Sequence, residues 1–591
     1  MTAPRAGRRG RAGPGCVAAV VVLVTTLALA TGATPTPTAA AASTPGSCQV
    51  PGAVADCYLA RRPSLGPVTV ADVSGATSGQ RLLATTLQGV VNRTTARLYL
   101  VGVRSPSEDQ FWIDDYVRRG LVDVVATGDL TAALDAFAAE ASGYVIASET
   151  EPWTVNTATT VAAATGGVVA TPELVPDLQA RGLTQIDDHR GRWPDAPTAY
   201  ESIAAAYHDQ LAYPGMAIQQ PGNHQPRDFF VQQGIMTVFT RPSRSDFDRV
   251  YALLDRYPND HPVYGYVSDT GVEEVQAVAR LAQAGRFLVP TDTTDNLSLH
   301  IAVGASAPRA TAPPADAPTV APCTTDQTNV VLAISDGDNL AVAEGTYPRS
   351  SSWSSPRRGE LPLGWSIGPS ASVLMPSVWD HYASTATPND EIVGMMGLGY
   401  TYTSLLPNGA DYFAASFALD AALGIDTHWS LDALLTQPDA PGWSLVHTGI
   451  ARAGVKPQGM LLNYLDFGGP DWHRTVDGVP VLTSRQSAYE DGPAELAAQI
   501  QALIDTPAPE RPLVTFFAVT VWNSSYDALA DAMAPLTARG VRFLTPSEAF
   551  ACLPAPPPTS PTTAPPTSTP DPGGPGTGDG SDIVVTPRFT A

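Results

Sequence analysis

The chain has 591 residues, with 57 acidic and 34 basic side chains and a formal net charge of −23 at pH 7. Binding to nucleic acid or to an anionic membrane surface requires a basic face. This charge therefore argues against both, and we predict no nucleic-acid partner and no membrane partner. Without its two terminal segments the chain keeps about 500 residues, which is enough for two or three domains.

The first 42 residues have the pattern of a secretory signal peptide. Four arginines precede an apolar stretch over residues 16–30, and small residues fill positions 39–42. The apolar stretch is shorter than the roughly 20 residues that a membrane-spanning helix needs. We predict that residues 1–42 are a signal peptide and that the protein is secreted and extracellular. Loss of four arginines and no acids would bring the formal charge to −27.

Two α/β regions are predicted in the N-terminal half, at residues 58–193 and 194–303. Apolar runs of strand length alternate there with segments that have helical spacing, which is typical of layered α/β domains. The predicted strands are 68–73, 98–101, 122–126, 144–147, 263–267 and 287–289, and the clearest predicted helices are 80–92 and 271–284, the second ending before Gly285. Residues 304–325 are rich in Ala and Pro and are predicted to be a linker.

The C-terminal region, residues 326–553, contains eight apolar runs that alternate with helical segments. The runs are 330–334, 363–367, 392–396, 425–429, 459–465, 479–483, 513–519 and 541–544. Eight such units in one region predict a (β/α)8-like barrel of the TIM type, with a seven-stranded variant as the alternative. Residues 554–591 are rich in Pro and Thr and are predicted to be a disordered tail.

Two segments of this region change abruptly from apolar to polar and glycine-rich. They are N-V-V-L-A-I-S-D-G-D-N-L at 329–340 and M-M-G-L-G-Y-T-Y-T-S at 395–404. Both resemble the GxGYxYP family of putative glycoside hydrolases, although Thr403 stands where the family has its proline. The segment at 87–100 is similar to the N-terminal part of the same family, and the resemblance extends over residues 65–553. It implies a secreted enzyme acting on a poly- or oligosaccharide.

Glycoside cleavage needs one carboxylic acid to protonate the leaving oxygen and a second carboxylate to attack the sugar or activate water. In a parallel barrel such groups gather at the carboxyl ends of the strands. The predicted catalytic residues are Asp336, Asp338, Asp466 and Glu490. The predicted substrate-binding residues are Asn339, Tyr400, Tyr402, Trp429, Arg485 and Trp522. We expect a carbohydrate substrate, no cofactor and no metal.

Four cysteines lie beyond the predicted signal peptide, and an exported protein keeps cysteines as disulfides more often than as metal ligands. Four cysteines allow three pairings. We predict Cys48 with Cys57, which flank a short loop, and Cys323 with Cys552, which lie at the two ends of the C-terminal region.

Three other functions remain open from the sequence. Residues 364–368 match the G-x-S-x-G pattern of serine esterases, with Ser366, Asp466 and His473 as the notional triad. A polysaccharide deacetylase would also have an acidic pair after its first strand, but it needs two closely spaced histidines, and no two of the nine histidines lie within five residues of each other. A carbohydrate-binding protein without catalysis is the third alternative, because a fold alone does not establish an activity.

Overall fold

A computed structural model describes residues 57–267, 271–313, 320–432 and 435–555. The predicted signal peptide, Cys48 and residues 556–591 of the Pro/Thr-rich tail lie outside these ranges. The fold is mixed α/β, with four sheets that follow one another along the chain. Over the part of the chain that is described, no helix has both the length and the apolar character needed to cross a membrane.

The first sheet has three parallel strands in the order β2-β1-β3. Its elements are β1 (Ser64–Asp72), α1 (Ser78–Val91), β2 (Thr95–Val101), α2 (Pro106–Arg118), β3 (Val124–Asp129) and α3 (Leu130–Phe137). Helix α1 begins at Ser78, two residues before the predicted start, because Thr77 and Gln80 form a capping box, in which each side chain accepts a hydrogen bond from the other residue's backbone N–H.

The second sheet also has three parallel strands, in the order β5-β4-β6. Its elements are β4 (Tyr144–Ile146), α4 (Trp153–Thr165), β5 (Val168–Ala170), α5 (Val175–Ala180), β6 (Gln185–Asp188) and α6 (Ala196–Tyr207). The stretch 58–193, which the sequence suggested was one region, thus contributes to two separate sheets, because β4 pairs with β5 and β6 rather than with β1 to β3.

The third sheet has four parallel strands in the order β10-β9-β7-β8. Its elements are β7 (Met216–Ile218), α7 (Arg227–Gln233), β8 (Met236–Val238), α8 (Phe247–Tyr251), β9 (Pro262–Gly265), α9 (Gly271–Gln283), β10 (Phe287–Pro290) and α10 (Leu297–His300). Helix α9 matches the predicted amphipathic helix, and Gly285 follows it with φ 75°, the left-handed conformation that commonly ends a helix.

The fourth sheet is built by the C-terminal region and is curled. Its strands are β11 (Asn329–Ile334), β12 (Leu363–Ile367), β13 (Asp390–Met395), β14 (Thr427–Ser430), β15 (Gly459–Leu462), β16 (Trp472–Arg474), β17 (Pro480–Thr483), β18 (Thr515–Val519) and β19 (Arg542–Leu544). Its helices are α11 (Ala371–Leu374), α12 (Pro376–Thr385), α13 (Gly409–Ala422), α14 (Trp443–Ala453), α15 (Pro493–Asp505), α16 (Tyr526–Thr537) and α17 (Pro546–Cys552).

All eight predicted strands of this region are present, but a (β/α)8 barrel is not confirmed. Strand β18 pairs directly with β11, and β19 pairs only with the first half of β11 instead of lying between the two. Strands β17 and β18 meet only at the isolated bridge between Ser484 and Phe516. The sheet also contains β16, an antiparallel strand at its edge that the sequence did not predict. The strand order is therefore not that of a TIM barrel, although every other named pairing is parallel.

The N-terminal sheets pack against the C-terminal one through shared apolar and polar contacts. One apolar cluster includes Trp112 of α2, Phe287 of β10 and Trp365 of β12, each essentially inaccessible to solvent. The buried amide of Asn296 joins the first and third sheets, since its Oδ1 accepts from Leu100 N at 2.8 Å and from Gln88 Nε2 at 2.7 Å. Buried amides with this many bonds fix the relative position of the elements that they join.

The predicted disulfide between Cys323 and Cys552 is present and spans 229 residues. The backbone N–H of Cys323 also donates to the carbonyl oxygen of Cys552 at 3.0 Å. The bond therefore fastens the segment before β11 to the end of α17. The other predicted pairing, Cys48 with Cys57, stays a prediction because Cys48 lies outside the described residues.

Breaking this disulfide should destabilise the C-terminal region, because it removes a constraint on a long loop of the unfolded chain. We expect Cys323→Ser to lower the free energy of unfolding by about 2–5 kcal/mol, measured by denaturant unfolding. Since the bond is lost only once, Cys323→Ser and Cys552→Ser together should cost little more than either alone. Additive losses would contradict this account.

Candidate functional site

The turn after β11 carries two of the predicted acids, Asp336 and Asp338. Asp336 has φ 65°, a left-handed conformation that Asp adopts more readily than most residues. A side chain at Gly337 would bring its Cβ to 1.8 Å from the carbonyl oxygen of Ser366, so only glycine fits there. Gly337 N donates to Ser366 Oγ at 2.9 Å. The turn is therefore held tightly against β12, and it presents both carboxyl groups at the end of the sheet.

The two carboxyl groups have different surroundings. Asp336 Oδ2 accepts from Ser335 Oγ at 2.7 Å and from the Tyr489 hydroxyl at 3.0 Å. Burial raises the pKa of Asp336, and these hydrogen bonds, with one from Tyr464, oppose the rise. Burial raises the pKa of Asp338 well above its usual range, and the negative charges of Asp336 and Glu274 add to the effect. Such a difference in environment is how a pair of acids divides into a proton donor and an ionised carboxylate.

The G-L-G-Y-T-Y segment follows β13 and contacts the third sheet. Tyr400 forms an antiparallel bridge with Leu288 of β10, with N···O distances of 2.6 and 2.9 Å in the two directions. A Cβ at Gly399 would lie 2.6 Å from the Leu288 carbonyl oxygen. The glycine of the motif is therefore required by the close approach of two backbones, and the motif joins the C-terminal sheet to the third N-terminal one.

This bridge brings a third carboxylate, Glu274 of α9, to the same place. Glu274 Oε1 accepts from the Tyr400 hydroxyl at 2.8 Å, and Oε2 accepts from the Tyr266 hydroxyl at 2.6 Å. The hydroxyls of Tyr400 and Tyr402 are 3.3 Å apart, so the two tyrosines do face the same way. Glu274 was not among the predicted site residues, because it lies in a helix of a different region of the chain, 62 residues before Asp336. The available signal was its place in the first turn of the helix that follows strand β9.

Tyrosines surround these three carboxylates. Tyr464 and Tyr489 are in edge-to-face contact, with ring centroids 5.6 Å apart. Burial raises the pKa of Tyr464 well above its usual range, and the negative charges of Asp336, Asp338 and Glu274 add to the rise. The phenols thus stay protonated and can donate hydrogen bonds. The site is a group of three acids lined by the tyrosines Tyr266, Tyr400, Tyr402, Tyr464 and Tyr489.

Asp466 and Glu490, the other two predicted catalytic acids, are exposed. Asp466 accepts from Gly468 N at 2.8 Å and pairs with Arg485 at 3.3 Å. The carbonyl oxygen of Glu490 accepts from Asn523 Nδ2 at 3.2 Å. The structure therefore brings Asp336 and Asp338 together with Glu274, whereas Asp466 lies in a surface ion pair.

The remaining predicted substrate-binding residues occupy several kinds of position. Asn339 caps its own turn, with Oδ1 accepting from Ala341 N at 3.0 Å. Trp429 is fully buried and donates to Asn463 O at 3.2 Å, and its ring packs against Tyr464, so it is a core residue behind the tyrosines.

Arg485 and Trp522 lie closer to the surface. Arg485 pairs with Asp471 at 2.7 Å. Trp522 is 52% exposed and acts on the Tyr489 hydroxyl by lowering its pKa, against the larger rise that burial causes, so a largely open indole lies beside the tyrosines.

The geometry does not support a serine esterase. Ser366 lies inside β12 rather than on a strand-to-helix elbow, is fully buried, and uses its hydroxyl to hold Gly337. Neither ring nitrogen of His473 has a hydrogen-bond partner among the described residues. The Ser366–His473–Asp466 triad is thus not assembled.

Models of all four domains of one family match this chain. They are the GxGYxYP_N first domain over residues 67–139, the second over 141–211, the third over 215–302, and the GxGYxYP putative glycoside hydrolase C-terminal domain over 326–553. The chain belongs to the GxGYxYP family. The acids of the site thus come from two domains of the family, with Glu274 in the third and Asp336 and Asp338 in the C-terminal one.

A solved structure shares the fold of this GxGYxYP protein. It is a putative hydrolase from Bacteroides thetaiotaomicron VPI-5482, with a TM-score of 0.71 and 20% sequence identity over 83% of this chain and 95% of that one. No protein with a curated description matches.

Burial of Asp338 should make its carboxylate costly at neutral pH. Because its pKa is raised in the folded state, the stability that it contributes is present below its unfolded pKa of about 3.9 and is lost as the pH rises above that value. Asn cannot ionise, so we expect Asp338→Asn to be more stable than the wild type at pH 7, with the difference shrinking towards pH 4. Denaturant unfolding at several pH values measures this.

Glu490→Gln is the matched control, because an exposed acid should change stability by less than about 0.5 kcal/mol. A lower stability of Asp338→Asn at pH 7, or a difference that does not depend on pH, would contradict the proposed burial cost.

Proposed function

We propose that this GxGYxYP protein is a glycoside hydrolase that cleaves a poly- or oligosaccharide between the acids of the C-terminal domain and Glu274. The observation that carries the proposal is the meeting of Asp336, Asp338 and Glu274 within one set of tyrosines. Hydrolysis of a glycosidic bond needs two carboxyl groups in different protonation states. Membership of a family described as putative glycoside hydrolases supports the same class.

Asp338 is suited to be the general acid. Its raised pKa keeps the proton on the carboxyl group near neutral pH, as a donor to the leaving oxygen requires. The adjacent Asp336, which receives hydrogen bonds from Ser335 and Tyr489, is suited to remain ionised and to keep Asp338 protonated by its negative charge.

Glu274 is suited to be the second catalytic carboxylate. The acid and its partner must stand on different sides of the sugar. Asp336 and Asp338 share one turn, whereas Glu274 comes from another domain. Two phenol hydroxyls donate to its oxygens, and hydrogen bonds of this kind favour the ionised form. Glu274 would therefore attack the anomeric carbon or activate a water molecule.

The tyrosines and Trp522 would bind the sugar. Aromatic rings present flat apolar faces to sugar rings, and phenol hydroxyls supply directional hydrogen bonds to sugar hydroxyls.

We also propose that the enzyme acts outside the cell, on the basis of the predicted signal peptide. The disulfide between Cys323 and Cys552 supports this location, since such bonds persist in oxidising compartments.

Activity should depend on Asp338 and Glu274. With a substrate found by screening a panel of oligosaccharides for released reducing ends, we expect Asp338→Asn and Glu274→Gln each to lower kcat/KM by about 100-fold or more, because each removes an acid or base of the reaction. Circular dichroism and unfolding curves would confirm that the variants fold.

Asp466→Asn and Glu490→Gln serve as controls, and we expect both to stay within a few-fold of the wild type. Full activity in Glu274→Gln, or loss only in Asp466→Asn, would overturn the assignment of the residues. Tight binding of the panel with no turnover would overturn the hydrolase and favour a carbohydrate-binding protein.

The dependence of kcat/KM on pH provides a separate test of the roles of Asp336 and Asp338. The alkaline limb of kcat/KM should report loss of the Asp338 proton. Since the negative charge of Asp336 raises the pKa of Asp338, Asp336→Asn should lower that pKa and move the alkaline limb to lower pH. A limb that stays in place, or moves to higher pH, would contradict the assigned roles.

A further inference from the structure

A second group of acids lies buried where three of the four domains meet, apart from the proposed active site. It consists of Asp109 of α2, Asp295 after β10, and Glu344 in a single π-helical turn, Val342–Thr346, that follows β11. One oxygen of each lies within 4.8 Å of the others. The exposed fractions of the Asp109, Asp295 and Glu344 residues are 0%, 2% and 0%.

Two oxygens of this group have no hydrogen-bond partner among the described residues. They are Asp295 Oδ1 and Glu344 Oε1. Asp109, in contrast, accepts from Gly102 N at 2.7 Å and from Asn296 Nδ2 at 3.2 Å. A buried carboxylate oxygen without a partner loses its hydration and gains nothing in return. The two oxygens are therefore free to donate electron pairs to a cation.

The protein's own cations do not balance this group. Arg104 approaches Glu344 at 3.4 Å and Asp295 at 3.9 Å, and both distances exceed those of strong charge-assisted hydrogen bonds. Arg349 pairs with the neighbouring Glu108 at 2.9 Å. Counting Glu108 with the three acids, four carboxylates face two guanidinium groups, which leaves two formal negative charges.

Asp228 lies further away and adds to the negative field. It acts electrostatically on Asp295. Its own Oδ2 is occupied by the backbone N–H of Ser298 at 2.8 Å. Asp228 therefore adds negative charge near the three acids and supplies no cation to balance them.

We propose that Asp109, Asp295 and Glu344 bind a divalent metal cation, best matched by Ca²⁺. Hard divalent cations take carboxylate oxygens as ligands, and Ca²⁺–O distances of about 2.3–2.6 Å place opposite ligands about 5 Å apart. Oxygens within 4.8 Å of one another fit that sphere. A charge of +2 would also cancel the excess of the four carboxylates over Arg104 and Arg349.

The cation would connect domains and take no part in the cleavage reaction. Asp109 belongs to the first domain, Asp295 to the third and Glu344 to the C-terminal one. Binding would hold α2 against the π-helical turn, where Trp112 Nε1 already donates to Glu344 O at 2.6 Å. Because a ligand that binds only the folded state stabilises it by mass action, this site would make stability depend on the free cation concentration.

Metal analysis and thermal unfolding of the full mature chain test the proposal directly. We expect about one equivalent of Ca²⁺ to remain after dialysis against Ca²⁺ and gel filtration. At 100 times Kd the ion favours the folded state about 100-fold, so Tm should be several degrees higher in CaCl2 than in EDTA. MgCl2, MnCl2 and ZnCl2 identify the preferred ion.

Asp295→Asn and Glu344→Gln should abolish both the bound metal and the rise in Tm. Glu391→Gln is the matched control. Glu391 is also a buried acid, but both its oxygens accept hydrogen bonds, Oε1 from Ser547 Oγ at 2.8 Å and Oε2 from Ser547 N at 2.7 Å, so this variant should keep the rise.

Less than a tenth of an equivalent of metal in the wild type, with Tm unchanged by any of the cations, would overturn the proposal and indicate carboxyl groups that are protonated instead. Retained metal in Glu344→Gln would overturn the assignment of the ligands. Neither measurement on the wild type requires a variant to fold.

Discussion

The hydrogen-bonded bridge between Tyr400 and Leu288 is the contact on which the proposed site depends. Tyr400 belongs to the turn after β13, and Leu288 lies in β10 of the third sheet, so the bridge fixes the C-terminal domain against the third domain. Tyr400 also donates its hydroxyl to Glu274 at 2.8 Å, so the same residue holds Glu274 beside the acids of the C-terminal domain. The third domain is thus part of the site, and the G-L-G-Y-T-Y segment both connects the two domains and contributes Tyr400 and Tyr402 to the lining of the site.

Strained backbone conformations mark the same end of the curled sheet. Asp336, Met396 and Asn463 have φ values of 65°, 58° and 61°, and they follow β11, β13 and β15. Non-glycine residues rarely adopt this conformation, and they persist in it only where the surroundings enforce it. Three such residues at the carboxyl ends of alternate strands of the parallel sheet indicate that the backbone there is shaped to present side chains, as the pair at Asp336 and Asp338 illustrates.

The features that could be predicted from the sequence are those that local signals determine. All eight strands of the C-terminal region, helix α9 with its end at Gly285, the disulfide between Cys323 and Cys552, and Asp336 and Asp338 at a strand end follow from periodicity, caps and spacing. The order of the strands in the curled sheet could not be predicted from the sequence, because the pairing of β18 with β11 joins segments that are far apart in the chain, and hydrophobic periodicity reports only local structure. Glu274 was missed for a related reason, since its partners are in another domain.

The proposed cleavage of a sugar between Asp338 and Glu274, where two domains meet, is tested most directly by a crystal structure of Asp338→Asn with a bound oligosaccharide. The account predicts a glycosidic oxygen within hydrogen-bonding distance of residue 338, with Glu274 facing the adjoining anomeric carbon and the tyrosines against the sugar rings. An oligosaccharide bound beside Asp466 and Arg485, with the space between Asp338 and Glu274 unused, would contradict it.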